Sequence, residues 1–129
     1  MSRWTLSLLR GRALWELLRF DLVMWLSGFR RIHAGLCRLQ ATRAVPQPGL
    51  EDIVWQAVRW AAMLYWKPIR CLQRSTAVVR LLRHYGQDAA LVIGCRKLPF
   101  FAHAWVEVDE RVVGDSPVYK HKLYVLERT

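Results

Sequence analysis

An α+β fold is predicted by three features of this 129-residue chain. The front half repeats apolar residues at helical spacing, the stretch beyond Gly86 switches to strand-like runs, and those runs follow one another directly. Helices first and consecutive strands afterwards give segregated layers, whereas alternating βαβ units would give a parallel sheet. The length predicts one domain over 1–129, with a helical front half (1–66) and a second half (67–129) that holds the strands.

The first helix is read from Leu14, Leu17, Leu18, Leu22, Trp25 and Phe29 as one apolar face, with Arg12, Glu16, Arg19 and Arg30 on other faces. A loop follows at 44–49, after which Glu51 and Asp52 sit where a helix N-terminus favours negative charge. Ile53, Val54, Ala57, Val58, Ala61 and Leu64 carry this second helix to a stop at Pro68. A third helix opens at Cys71 and turns Leu72, Ser75, Val78, Val79 and Leu82 inward. Its outward residues are Arg74, Arg80 and Arg83, and Gly86 is its C-terminal cap. Strands are predicted at Ala90–Gly94 and Phe101–Val108. A tight turn at Asp109-Glu110 comes next, and Arg111–Gly114 and Lys122–Leu126 complete a small antiparallel sheet.

Composition excludes several classes. Hydrophobic residues at 53% rule out a disordered tail. Twenty Lys and Arg against ten Asp and Glu give +10, which attracts anionic partners without choosing among them. Eight arginines and two acids fall before residue 46, so positive charge is concentrated at the front, net +6. Cys37, Cys71 and Cys95 form an odd set without a C-x-x-C pair, which argues against a disulfide framework or a cysteine-rich zinc site and for a reducing, cytoplasmic location. His33, His84, His103 and His121 are scattered and no HExxH occurs, so no metal is expected. Arg10, Arg12, Glu16, Arg19 and Asp21 interrupt the Leu-rich N-terminus and exclude a signal peptide or membrane span. The glycines do not cluster into a phosphate loop, and no nucleotide cofactor is expected.

Chemistry concentrates at Cys71. A cysteine in the first turn of a helix meets the positive end of the macrodipole and unpaired backbone N–H groups, both of which favour the thiolate. Arg70 and Arg74 add positive potential. Alone, Cys71 reads as a small buried hydrophobe; a histidine partner changes that reading. His103 stands in Phe101-Ala-His-Ala-Trp105, where alternation puts Phe101, His103 and Trp105 on one face of the strand. A strand-borne imidazole packed against a helix that begins with cysteine is a Cys–His arrangement for nucleophilic catalysis. The chain contains no Asn, so a carboxylate or a glutamine must orient the base. Asp115, at the end of the returning strand, is the choice over Glu107 and Asp109; it equally suits a turn before Pro117. The backbone N–H of Cys71 is the expected oxyanion donor; Trp66 and Tyr65 are candidates for a second, which stays unassigned, and Gln56, in a helix, is set aside.

Taken together, Cys71-Leu-Gln-Arg-Ser75, Leu91-Val-Ile-Gly94, Ala102-His-Ala-Trp-Val-Glu107 and Gly114-Asp-Ser-Pro117 resemble the leader peptidases of lasso-peptide biosynthesis, which are similar to transglutaminase-like cysteine proteases. The resemblance runs from about Trp60 to Arg128. It implies a papain/transglutaminase-like core with the catalytic cysteine at a helix N-terminus on the sheet. It also implies a Cys71–His103–Asp115 triad that cuts between leader and core of a ribosomal precursor peptide through a thioester. No ATP is needed for this step; the freed core passes to an ATP-dependent cyclase. No strand-rich recognition unit is visible before Cys71, so the resemblance is to the stand-alone peptidase, which borrows a separate leader-recognition protein.

Two other readings share the residues. A transglutaminase-type acyltransferase would use the same triad with an amine in place of water. A non-enzymatic basic domain would bind nucleic acid or an anionic membrane through Arg and Trp. No nucleic-acid signature is present, so nucleic acid is not an expected partner, whereas the basic N-terminal helices, with Arg10, Arg12 and Arg19, are a candidate docking face for the recognition protein, the leader or the cyclase, or for a weak membrane contact.

Overall fold

The computed structural model describes residues 3–42, 49–97, 100–114 and 123–129. Most of the predicted loop at 44–49, Asp115, Pro117, His121 and Lys122 lie outside the described residues. Among the described residues, four helices, α1 (Arg3–Ser27), α2 (Phe29–Arg38), α3 (Leu50–Leu64) and α4 (Cys71–His84), precede four strands, β1 (Ala90–Lys97), β2 (Phe100–Val108), β3 (Arg111–Val113) and β4 (Tyr124–Arg128). The sheet is antiparallel in the order β3-β2-β1-β4, and the fold is α+β.

The first helix differs from its prediction in length and in face. It begins at Arg3 and stops at Gly28, whose φ of 76° only glycine adopts readily, so Phe29 starts a new helix. Its buried residues are Leu9, Ala13, Leu17 and Phe20, while Leu18, Leu22 and Trp25, expected inside, are exposed. The cause is that α1 carries two apolar stripes. Helical spacing alone does not say which one a partner covers.

α3 starts after Gly49 in the left-handed conformation, with Glu51 and Asp52 in its first turn, and buries Val54, Trp55, Ala57, Val58 and Ala61. α4 ends in a Schellman motif: the Gln87 N–H reaches the Leu82 carbonyl (2.9 Å) and the Gly86 N–H that of Arg83 (3.2 Å), with Gly86 at φ 92°. The predicted hairpin turn is present, and both Asp109 and Glu110 have positive φ, as a two-residue connection requires.

Arg83 corrects the expected outward set. It is only 7% exposed and donates to the carbonyls of Leu36 (2.7 Å), Leu39 (3.0 Å), Ala89 (2.9 and 3.1 Å) and Thr129 (3.2 Å). One planar guanidinium thus satisfies carbonyls from the end of α2, the α4–β1 connection and residue 129.

The main core lies between the helices and one face of the sheet, where Leu91, Ala104, Val106 and Val108 meet α3 and α4. The other face carries a smaller cluster of Val92, Trp105 and Leu123. Gly94 belongs to this second face, because a Cβ there would stand 2.7 Å from the Trp105 ring.

Candidate active site

Cys71 occupies the first position of α4. Arg70 precedes it in extended backbone, no side chain caps the helix, and no acid lies in the first turn. The first-turn N–H groups therefore keep their positive end of the dipole for an anion formed at the sulfur or on a bound carbonyl. The thiol is half-buried and packs against the main core.

α4 is fastened to the strand that carries the histidine. One turn beyond Cys71, the Ser75 hydroxyl donates to the carbonyl of Ala104 at 3.1 Å, next to His103. The imidazole itself follows the alternation and stands in a stacked row, 6.1 Å from the Phe101 ring and 6.3 Å from that of Trp105. This row faces away from Ala104 and Val106, the residues that pack toward the helices. The two elements are in contact through the Ser75–Ala104 bond. Ala102, on the helix side of β2, is exposed, so the strand runs clear of the helical layer at the level of the histidine.

The row is held from below. Trp105 donates from its indole to Glu107 (2.8 Å), and Arg128 donates to the same carboxylate (3.1 and 3.2 Å). Glu107 is 5% exposed, and these bonds occupy its carboxylate. Asp115 lies outside the described residues, and its neighbour Gly114 lies against Trp55: a Cβ there would be 2.1 Å from the indole, and φ is +71°. The guanidinium of Arg74, in the first turns of α4, lies 4.9 Å over that same indole. Trp55 is thus the point where the end of β3 meets the beginning of α4.

The segment leading into Cys71 is tied to α1 by a polar cluster that sequence reasoning did not find. Asp21 accepts from the Tyr65 hydroxyl and pairs with Lys67 at 2.7 Å, while Gln73, 4% exposed, donates to the carbonyl of Leu17 at 2.8 Å. Burial pushes the Tyr65 hydroxyl up to about 12, helped by its hydrogen bond to Asp21 and by that charge. Burial also pushes Asp21 upward, but its bonds with Lys67, Tyr65 and Gln73 outweigh this and hold it below the ordinary carboxylate value. The only sequence signal was an acid in an otherwise apolar turn of α1. Tyr65 is therefore engaged with Asp21, and Trp66, 77% exposed, lines a groove with Leu22 and Trp25. Gln56 is exposed beside Leu6 and Arg10.

A cavity of about 420 Å³ lies beside the start of α4, lined by Phe20, Met24, Lys67, Arg70 and Leu72 among others. Cys37 has a base beside it: His33 stands one helical turn away, with its ring nitrogens 3.8 Å from the sulfur, and pairs with Glu127. Helical spacing brings His33 to Cys37, but only the return of β4 brings Glu127. Among the described residues no cluster could hold a metal ion, and no helix is long and apolar enough to cross a membrane.

Three comparisons bear on the chain. A family model described as the transglutaminase-like superfamily matches residues 14–128. The microcin J25-processing protein McjB of Escherichia coli is 46% identical over 56 residues, a stretch covering 43% of this chain and 27% of that protein. No solved structure matches.

Proposed function

The chain belongs to the transglutaminase-like superfamily, and on that premise we propose that it is a cysteine peptidase removing the leader from a lasso-peptide precursor. The observation that carries this reading is the thiol of Cys71 at an uncapped helix N-terminus, on a helix bonded to the strand of His103. The local likeness to a protein whose name records the processing of microcin J25 supports the substrate class.

In the proposed reaction His103 takes the proton of Cys71, and the sulfur attacks the carbonyl joining leader to core. The backbone N–H of Cys71 donates to the oxyanion, and His103 returns the proton to the departing amine of the core. A thioester to the leader remains, and water, deprotonated by His103, releases the leader and restores the thiol. The His103 ring stands in the row on the sheet face away from the helical layer, so the transfer requires it to turn toward the sulfur as substrate binds. Asp115 orients the imidazole, a role supported by the meeting of Gly114 and Arg74 at Trp55. A cytoplasmic setting, a separate leader-recognition protein and an ATP-dependent cyclase that receives the core complete the reading. No cofactor takes part in the cleavage.

Aminolysis of the same thioester is the second reading, favoured by the family's transglutaminase character. Incubation with the precursor peptide, the recognition protein and a primary amine separates the two by mass: a free carboxylate at the leader's new end marks hydrolysis, an amide marks transfer. Cys71→Ala and His103→Ala are expected to abolish leader removal, whereas Cys37→Ser and Cys95→Ser retain it. Loss of activity in Cys37→Ser alone would transfer the nucleophile to the Cys37–His33 pair.

A further inference from the structure

The stripe of α1 that the core leaves uncovered is a continuous surface. Trp15, Leu18, Leu22 and Trp25 follow one another at spacings of three, four and three residues, on the side of the helix opposite Ala13 and Leu17, and Leu26 extends the line. Trp25 is 82% exposed and Leu26 71%. Trp66 joins them from the segment after α3, across a groove of about 450 Å³. A contiguous apolar patch of this kind marks a contact surface.

The charges around the patch select its partner. Arg30, Arg31 and Arg70 are exposed; Arg31 donates to Ser27, the residue after Leu26, Arg70 lines the neighbouring cavity with Met24 and Lys67, and Lys67 lies 5.7 Å over the Trp66 ring. The two carboxylates of α1 are both occupied, Glu16 by Arg80 at 2.6 Å and Asp21 by Lys67 and Tyr65. A second copy of the chain would bring these cations against one another. An anionic lipid surface would meet the cations with headgroups and the indoles with the headgroup–acyl boundary, where tryptophan is most at ease. We propose that α1 seats this protein in the plane of an anionic bilayer surface through Trp15, Leu18, Leu22, Trp25, Leu26 and Trp66, with Arg30, Arg31 and Arg70 as the electrostatic collar.

The site is distinct from Arg10, Arg12 and Arg19, the arginines singled out from sequence. Arg10 lies over Trp60, Arg12 is bonded to His84, and burial, with the nearby Arg80 charge, holds Arg19 below the ordinary guanidinium value.

The test is co-sedimentation of the full chain with vesicles of phosphatidylcholine alone or mixed with phosphatidylglycerol, read together with tryptophan emission. The expected result is binding at least about tenfold stronger to the phosphatidylglycerol vesicles, weakened by salt, with a blue shift in emission. Leu22→Ser and Trp25→Ser each lower the affinity about tenfold while thermal unfolding is unchanged, because both side chains are exposed in the free protein. Arg30→Glu with Arg31→Glu removes the preference for phosphatidylglycerol. Absence of binding to either vesicle, or equal binding by these variants, overturns the proposal. So does a dimer in light scattering that the same apolar substitutions dissolve while vesicles remain unbound.

Discussion

The hydroxyl of Ser75 bonds to the carbonyl of Ala104 at 3.1 Å, and so ties the helix begun by Cys71 to the strand of His103. Both groups are buried, so deleting the donor strands an acceptor away from water. Ser75→Ala is expected to lower stability by about 1–2 kcal/mol, measured by urea denaturation. Leader removal should fall further than stability under conditions where the variant remains folded, because the bond fixes how the two elements meet. Unchanged turnover in a destabilised variant would make the bond structural only.

The Asp21–Tyr65 bond predicts a pH dependence at both ends of the scale. Tyr65 has its folded value raised to about 12, so its contribution is fully present below the ordinary tyrosine value of 10 and is lost as pH rises through 12. Asp21 has its folded value lowered, so its contribution is present above 3.8 and disappears as pH falls through the depressed value. Tyr65→Phe removes a hydrogen bond to a charged acceptor in a partly exposed setting, a loss of about 1 kcal/mol at neutral pH. The difference from the parent protein should shrink between pH 10 and 12 in denaturation curves. A constant difference across that range would show that the hydroxyl does not sense Asp21.

Gly114 has no room for a side chain. Its φ of +71° and the 2.1 Å separation of a Cβ from Trp55 predict that Gly114→Ala costs about 1–3 kcal/mol for overpacking and ~1 kcal/mol more for the left-handed backbone. Combined with Trp55→Val, the cost should be clearly less than additive, as measured by a double-mutant cycle. Because Asp115 follows immediately, Gly114→Ala should also impair leader removal if that residue orients His103.

Much of the fold was legible in local signals. Cys71 opens α4 and Gly86 caps it, as the chain predicts, because the cap is a φ requirement at one position. The Phe101–Val108 strand and the Asp109-Glu110 turn were equally readable, since alternation and a two-residue connection are properties of neighbours. The alternation that sets His103 beside Phe101 and Trp105 was legible too. The sequence did not show which side of the sheet the helices cover at that level.

What the chain determined alone was thus the order of its elements, the positions of their ends and the motifs that carry the family likeness, all written within a few residues of one another. The tertiary structure decided which of the two stripes of α1 is buried. It turned Arg83 inward, drew Asp21 to Tyr65 and Lys67, and placed His33 between Cys37 and Glu127. Each of these depends on groups from distant segments arriving at one place. Helical or strand periodicity describes a single element and does not state what stands opposite it; a buried guanidinium or a paired carboxylate is stable only once its partners have come together.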